Sequence, residues 1–262
     1  MDLSIVIVTY NSRKFIINCL DSARRAARGV EHEIIVVDNN SGDGTKDLVK
    51  QFSNSILLLE NLKNLGFAKA VNAGLRRASG EFILLLNPDT VIQSESFYPV
   101  IEFLRKNANI GICGGKLLNA DDSLQYSTGS FPTLFSTLSR RVLPRRMRKY
   151  DLWSYDKTRR CDWVTGAFML VRGGLIKEVG YFDEAYFMYY EDVDYCLQAK
   201  NRGWETYYFP GVTAYHLEPH ARSRKDPITE HQIRKGRSYF FEKNRSFFSY
   251  YMILILTGSN RW

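Results

Sequence analysis

The sequence predicts an α/β fold: a single Rossmann-like domain with a mostly parallel, mixed sheet flanked by helices, closed by a helical, aromatic C-terminal tail. Three observations carry that expectation. Apolar, β-branched runs alternate with helix-forming stretches through the first third of the chain, the pattern of strand–helix–strand units around a parallel sheet. Each run stops at a cluster of Asn, Asp, Ser and Gly, residues that form turns. The length of 262 residues, 45% hydrophobic and 24% charged, suits one large globular domain and argues against a disordered chain.

The elements follow in order. Residues 3–8 form a continuous apolar run and read as a strand buried on both faces. Asn11 and Ser12 offer capping side chains for a helix over 14–28, which Gly29 ends. A second strand over 33–37 breaks at Asp38-Asn39-Asn40-Ser41-Gly42-Asp43-Gly44, and Thr45 opens a helix reaching 52. A strand over 56–60, a loop over 61–66, a helix over 68–78 and a strand over 82–86 complete the alternation, the last ending in Asn87-Pro88-Asp89-Thr90. Beyond it, 112–118 and 164–171 read as strands, 191–202 as a helix stopped by Gly203, and 204–209 as a strand before Pro210; the basic stretch 131–155 has no assignment. Residues 1–220 are expected to form the domain, in halves of about 1–90 and 91–220, and 221–262 a basic, then apolar, extension.

The four cysteines, Cys19, Cys113, Cys161 and Cys196, form no CxxC pair, which argues against a zinc or redox site and suits a reducing compartment. The N-terminus lacks a basic stretch ahead of its apolar run and reads as a strand, not a signal peptide, so a cytoplasmic location is expected. Net charge is +8, concentrated in Arg140, Arg141, Arg145, Arg146, Arg148 and Lys149 and again between Arg222 and Arg245. Such clusters suit phosphates, anionic lipid or nucleic acid, or simply a solvated face. No nucleic-acid recognition motif accompanies them. The first βα turn carries Thr9-Tyr10-Asn11 in place of G-x-G-x-x-G, which disfavours a dinucleotide dehydrogenase.

In open parallel sheets ligands gather beyond the carboxyl ends of the strands, where the polar clusters above fall. Asp38 there could accept from the N3–H of a uracil or thymine ring, or cap the next helix. Asp89 has the oxygen chemistry for Mg²⁺ or Mn²⁺ beside a diphosphate, with Asn87 in support. Glu191 and Asp192 could supply a general base in the aromatic setting of Phe187-Met188-Tyr189-Tyr190, or serve a helix N-terminus. Asp194, two residues on, cannot share that face. His216 could ligate metal or bind phosphate, or be structural. Trp163 and Gly166 could shape an acceptor pocket, the indole stacking on a sugar face, or the Trp could belong to the core.

Taken in order, these segments resemble glycosyltransferase family 2, the inverting enzymes of GT-A fold. The resemblance rests on IVIVTYN at 5–11, VVDNNSGDGT at 36–45 and the N-x-G-F-A-x-A-x-N-x-G pattern at 64–74. It continues with LLLNPDT at 84–90, TGAFMLVR at 165–172 and GYFDEAYFMYYEDVDYCLQAKNRGW at 180–204, and spans about 3–216. It implies a donor-nucleotide side of Thr9, Tyr10, Asn11, Asp38, Asn40, Gly66, Asn72 and Asn87. It implies a metal at Asp89, where the family's D-x-D motif reads N-P-D, with His216 helping, and catalysis at Glu191-Asp192 with the aspartate as base. The NPDT and FMYYEDVD variants look most like the bacterial rhamnosyltransferase branch. That implies a dTDP- or UDP-sugar donor, L-rhamnose as the transferred sugar, Mg²⁺ or Mn²⁺ as cofactor, and a glycan or polyprenyl-linked acceptor in surface polysaccharide synthesis. A non-catalytic sugar-nucleotide binding module on the same fold is the alternative. The run 247–256 is too short to span a bilayer and reads as lying in the inner-membrane interface, docking on the core, or making a homodimer contact.

Overall fold

The computed structural model describes residues 1–137, 155–218, 227–245 and 247–257. Its centre is a mixed sheet of ten strands whose main path runs β3-β2-β1-β4-β11-β6-β12-β5. The strands are β1 (Leu3–Thr9), β2 (His32–Asp38), β3 (Leu57–Glu60), β4 (Phe82–Leu86), β5 (Thr90–Ile92), β6 (Ile110–Leu118), β7 (Leu124–Gln125), β8 (Thr128–Gly129), β9 (Arg159–Cys161), β10 (Trp163–Val164), β11 (Phe168–Arg172) and β12 (Glu205–His216). β1 pairs in parallel with both β2 and β4, while β11 runs antiparallel between β4 and β6. β8 and β10 form a separate two-stranded sheet.

All seven residues of β1 are buried, because helices cover both faces of the sheet. The period of two sorts them. Leu3, Ile5 and Ile7 pack with Ile16, Leu20 and Ala23 of α1 (Ile16–Ala26) and with Ile101 and Leu104 of α4 (Tyr98–Lys106). Val6 and Val8 face the opposite layer, with Val71 and Leu75 of α3 (Phe67–Leu75). A β-carbon on Gly74 of α3 would come within 2.4 Å of Val6, so glycine there lets the helix sit close on the sheet. α2 (Thr45–Phe52) and α5 (Gly173–Val179) complete the inner helices. α6 (Glu191–Asn201) joins the α3 layer, and α7 (Pro227–Asn244) and α8 (Phe247–Thr257) close over it, burying Phe240, Phe241, Tyr250 and Ile253. The four cysteines are buried and unpaired.

The fold class and the first four strands agree with the sequence, and several details differ. The expected strand over 164–171 is two: Val164 ends β10, a turn follows, and β11 starts at Phe168. The strand expected to stop before Pro210 runs on to His216, with a register shift between Phe209 and Thr213 that accommodates the proline and Gly211. No side chain caps α1; it begins at Ile16, after a turn in which the Ser12 carbonyl accepts from the Phe15 and Ile16 amides. The cap of α2 comes from Asp43, whose Oδ1 accepts from the Thr45 amide at 3.0 Å. The cluster 140–149 and residues 222, 224 and 225 lie outside the described residues. Within the second basic cluster, Lys243 and Arg245 make internal contacts, to Asp183 and Asp194 and to the Pro132 carbonyl.

Candidate active site

The parallel pairing brings Thr9 level with Asp38 and Ile7 level with Leu86, so β1, β2 and β4 end on one edge of the sheet. β11 begins there, opposite Leu86, and β12 ends there, with His216 opposite Thr90. At the first corner Thr9 and Asp38 are fully buried. Asp38 Oδ2 accepts from the Ser41 amide at 2.9 Å, but Asp38 Oδ1 and Thr9 Oγ1 have no hydrogen-bond partner among the described residues. A buried carboxylate oxygen and hydroxyl left unpaired side by side cost several kcal/mol unless a ligand uses them, by the general penalty of about 1–3 kcal/mol for each unmet polar group. The floor is fixed by Asn11, which donates its amide to Ser41 Oγ and accepts from Gly42 N–H, in a left-handed conformation shared with Asn40. Tyr10 stands half-exposed beside it.

The second corner holds Asn87, Asp89 and His216. Asp89 Oδ1 lies 3.3 Å from His216 Nε2, and both side chains are buried. Asp89 Oδ2 accepts from the Glu218 amide at 3.1 Å, and Asn87 Nδ2 sits 3.2 Å from His216 Nε2. The far ring nitrogen, Nδ1, is 2.8 Å from Gln125 Oε1 on β7. No group of three or more His, Cys, Asp or Glu gathers among the described residues. One carboxylate and one imidazole still fit a divalent ion bound largely through a substrate's phosphates and water.

The third corner is the turn over 165–167 between β10 and β11. Its Gly166 amide donates to Asp192 Oδ2 at 3.1 Å, while its Ala167 carbonyl accepts from the Asn87 amide at 3.1 Å. One short turn therefore ties the Asn87-Pro88-Asp89 corner to the first turn of α6. Asp192 Oδ1 accepts from the Val193 amide at 2.8 Å, and the Thr165 hydroxyl also bonds this carboxylate. Burial raises the Asp192 pKa, and these hydrogen bonds partly restrain the rise. Glu191 is buried more deeply; burial first, then the neighbouring Asp192 charge, pushes its pKa well above the usual carboxylate range, and Oε2 has no partner among the described residues. Of the two, Glu191 is the one pushed further toward its protonated form, and Asp192 is the carboxylate tied to the 165–167 turn. Asp194 turns away, held by Lys243 Nζ at 2.8 Å and Asn244 Nδ2 at 2.6 Å.

Local backbone sets these positions. Tyr189 and Tyr190 both adopt positive φ, at 69° and 74°, immediately before Glu191. Consecutive left-handed residues that are not glycine cost energy and persist only when their surroundings hold them. Phe187 is pinned by its carbonyl, which accepts from Phe67 N–H at 2.6 Å. Gly66, at φ 84°, makes that approach feasible, since a β-carbon would lie 2.5 Å from the Phe187 oxygen.

Not every expected residue reaches the cleft. Asn72 is a fastener: its Nδ2 donates to the Phe182 carbonyl and Glu184, and its Oδ1 accepts from the Phe182 amide, leaving no donor for a nucleotide. Gly66 acts through Phe187, and Gly166 through Asp192. Trp163 donates its indole N–H to the Ser130 carbonyl and packs against Gly129. The sequence reading missed Asn39, whose amide joins Asn61, Asn64, Leu65 and Gly66. It also missed Gln125, which reaches His216 only through the β6–β7 pairing.

A family model described as Glycosyl transferase family 2 matches residues 4–169, well over half the chain. The chain belongs to glycosyl transferase family 2. It is a glycosyltransferase by that membership, with the GT-A architecture. An N-acetylglucosaminyl-diphospho-decaprenol L-rhamnosyltransferase of Mycobacterium tuberculosis (strain CDC 1551 / Oshkosh) is 29% identical over 93% of this chain and 84% of its own. Rhamnosyltransferase WbbL of Escherichia coli (strain K12) is 28% identical over 82% of this chain and 83% of its own. Among solved structures, S. aureus TarS superposes with a TM-score of 0.63 at 19% identity, covering 97% of this chain, which spans only 42% of TarS. The mannosyltransferase PcManGT from Pyrobaculum calidifontis, solved with GDP-Man and Mn²⁺, gives 0.65 at 17% identity, covering 97% of this chain and 68% of its own. These structural likenesses establish the fold.

Proposed function

We propose that this glycosyltransferase inverts configuration at the sugar carbon as it moves L-rhamnose from dTDP-rhamnose to a hydroxyl of a lipid-linked glycan during surface polysaccharide synthesis. The observation that carries the reading is the 165–167 turn, which bonds the Asn87-Pro88-Asp89 corner on one side and Asp192 on the other. A base and a diphosphate corner joined by three residues suit a single displacement. The rhamnosyltransferase names of the two relatives support the sugar, and the decaprenol-linked acceptor named for one supports the lipid carrier.

In the mechanism, Asp38 Oδ1 accepts the N3–H of a thymine or uracil ring, and Thr9 donates to a ring carbonyl; both atoms are otherwise unpaired. Tyr10, Asn11 and Asn40 border that base and its ribose. Asp89 and His216 would hold Mg²⁺ or Mn²⁺, which when bound neutralises the departing diphosphate. Asp192 takes the proton of the acceptor hydroxyl as it attacks the anomeric carbon from the face opposite the diphosphate. Its raised pKa strengthens it as a base near neutral pH. Trp163 and Gly166 flank the acceptor side, the glycine by orienting Asp192. No described helix is long and apolar enough to cross a membrane. Contact with the lipid carrier's membrane is assigned to the outer face of α8, where Phe248 and Ile255, seven residues apart, are 67% and 75% exposed.

The test is release of free nucleoside diphosphate from a panel of dTDP-, UDP- and GDP-sugars with Mn²⁺ or Mg²⁺, with and without EDTA, in wild type and Asp89→Ala. Metal-dependent release from dTDP-rhamnose, lost in the variant, is expected. Absence of binding and release with every donor would overturn the donor site and leave a binding module on the same fold.

A further inference from the structure

Gln125 lies outside every motif, yet its hydrogen bonds dictate which nitrogen of His216 carries the proton. The chain of bonds starts from acceptors that cannot exchange roles. Asn119 Nδ2 donates to the Ser123 carbonyl at 3.0 Å and to Ser123 Oγ at 2.6 Å. Ser123 Oγ in turn gives its own proton to the Asp121 carboxylate at 2.6 Å. The Asn119 amide can therefore point only one way, with Oδ1 toward Gln125. Gln125 Nε2 donates to that oxygen at 3.0 Å, which leaves Gln125 Oε1 facing His216 Nδ1 at 2.8 Å. An amide oxygen only accepts, so Nδ1 carries a hydrogen, and in the neutral ring Nε2 then presents its lone pair. Asn119, Gln125 and His216 are all buried, so water offers little competition.

At Nε2 the consequence is direct. Asn87 Nδ2, 3.2 Å away, donates to the lone pair, and Asp89 Oδ1 stands 3.3 Å away with no proton between the two acceptors. With no hydrogen between them, Nε2 and Asp89 Oδ1 can share a cation once the Asn87 amide yields the lone pair. The opposite tautomer would turn Nε2–H onto Asp89, occupying both groups with one another.

We propose that Gln125, anchored by Asn119, is a positioning residue that holds His216 in its Nδ1–H tautomer, so that Nε2 and Asp89 together face a divalent cation. This rests on the cation assignment in the proposed function and goes beyond it by naming what prepares the histidine. Outer partners of metal-binding histidines typically carry a factor of roughly 10–100 in metal affinity.

The experiment uses the 262-residue protein labelled with nitrogen-15 histidine, free of metal and nucleotide. The four histidines are separated by His216→Ala subtraction. Long-range proton–nitrogen spectra distinguish the tautomers directly. The wild-type His216 should show the Nδ1–H pattern. Gln125→Met, similar in size but without an acceptor, should mix in the Nε2–H form, as should Asn119→Ala, which frees the Gln125 amide to flip. Near-ultraviolet circular dichroism checks that each variant is folded, and either variant alone suffices. In parallel, Mn²⁺ is titrated by electron paramagnetic resonance in the presence of dTDP, where both variants should bind Mn²⁺ roughly 10–100-fold more weakly. A wild-type Nε2–H tautomer, or variants with unchanged spectra, would overturn the proposal. A changed tautomer with unchanged Mn²⁺ affinity would also overturn it. If wild type bound no Mn²⁺, the cation assignment itself would fall, while the spectra would still decide whether Gln125 sets the ring.

Discussion

Replacing Glu191 by Gln should flatten part of the protein's pH-dependence of stability. Glu191 is 6% exposed, its Oε2 has no partner among the described residues, and burial and the Asp192 charge both favour its protonated form. Its folded pKa is therefore raised above the unfolded value. Below the unfolded value both states carry the proton, and stability is at its fullest. As pH rises above it, the unfolded chain releases a proton that the folded chain retains, so stability falls. The slope reaches about 1.4 kcal/mol per pH unit and ends only where the folded carboxyl ionises. Asp192 is shifted in the same direction and remains in both proteins, so the difference between them reports Glu191 together with its interaction with Asp192. Urea unfolding of wild type and Glu191→Gln at intervals from pH 5 to pH 8 is the assay. The variant should gain on wild type steadily with rising pH, by about 1–3 kcal/mol across that range. Parallel pH profiles would refute the assignment of a neutral Glu191.

Other outcomes follow from single contacts. Gly66→Ala combines φ 84° and ψ 172° with a β-carbon 2.5 Å from the Phe187 oxygen; it should cost about 2–4 kcal/mol in urea unfolding, and a loss below 1 kcal/mol would contradict the close approach. Lys243→Met leaves Asp194, 2% exposed, without its cation and takes the cation from Asp183 as well; about 2–4 kcal/mol should be lost, and an unchanged unfolding midpoint would show that α7 is not fastened there. The double variant Phe248→Glu with Ile255→Glu should keep its fold and reduce co-sedimentation with anionic vesicles at least about tenfold, since each apolar side chain contributes on the order of 1.5–3 kcal/mol when buried. Equal sedimentation would remove α8 from the membrane contact.

The parallel half was legible because its strands are buried on both faces and so read as unbroken apolar runs, as in β1 and β4. The second half was not, because its elements depend on partners distant in sequence. β7, β8, β9 and β10 have two or three residues each, too few for any periodicity to register. β12 runs through Pro210-Gly211, local signals for a break that pairing with β6 on both sides of the register shift overrides. α7 buries Phe240 and Phe241 but presents a mixed, basic sequence in which no apolar stripe stands out.

The site divides in the same way. Asp38, Asp89, Asp192 and His216 could be named as candidates because each follows a buried strand or opens a helix at the ligand edge of the sheet, and Thr9 because the family resemblance points to it. Helix geometry alone left room for at most one of Asp192 and Asp194 in the candidate site, and the structure sends Asp194 to Lys243. Asn72 misled because its motif spacing suggested a ligand, whereas its amide spans 110 residues to fasten Phe182. Gln125 carried no signal, because the 119–125 hairpin that delivers it to His216 exists only once β6 and β7 pair.

The central claim, that Asp192 is the base of a transfer from a nucleoside diphosphate sugar, is tested most directly by Asp192→Asn. The variant keeps an acceptor for the Gly166 amide, seen now at 3.1 Å, so the turn should persist. Calorimetry should give a dissociation constant for dTDP with Mn²⁺ within about threefold of wild type, while turnover with dTDP-rhamnose and acceptor falls by about 10²–10⁴. Turnover within a few-fold of wild type, with donor binding unchanged, would contradict the assignment.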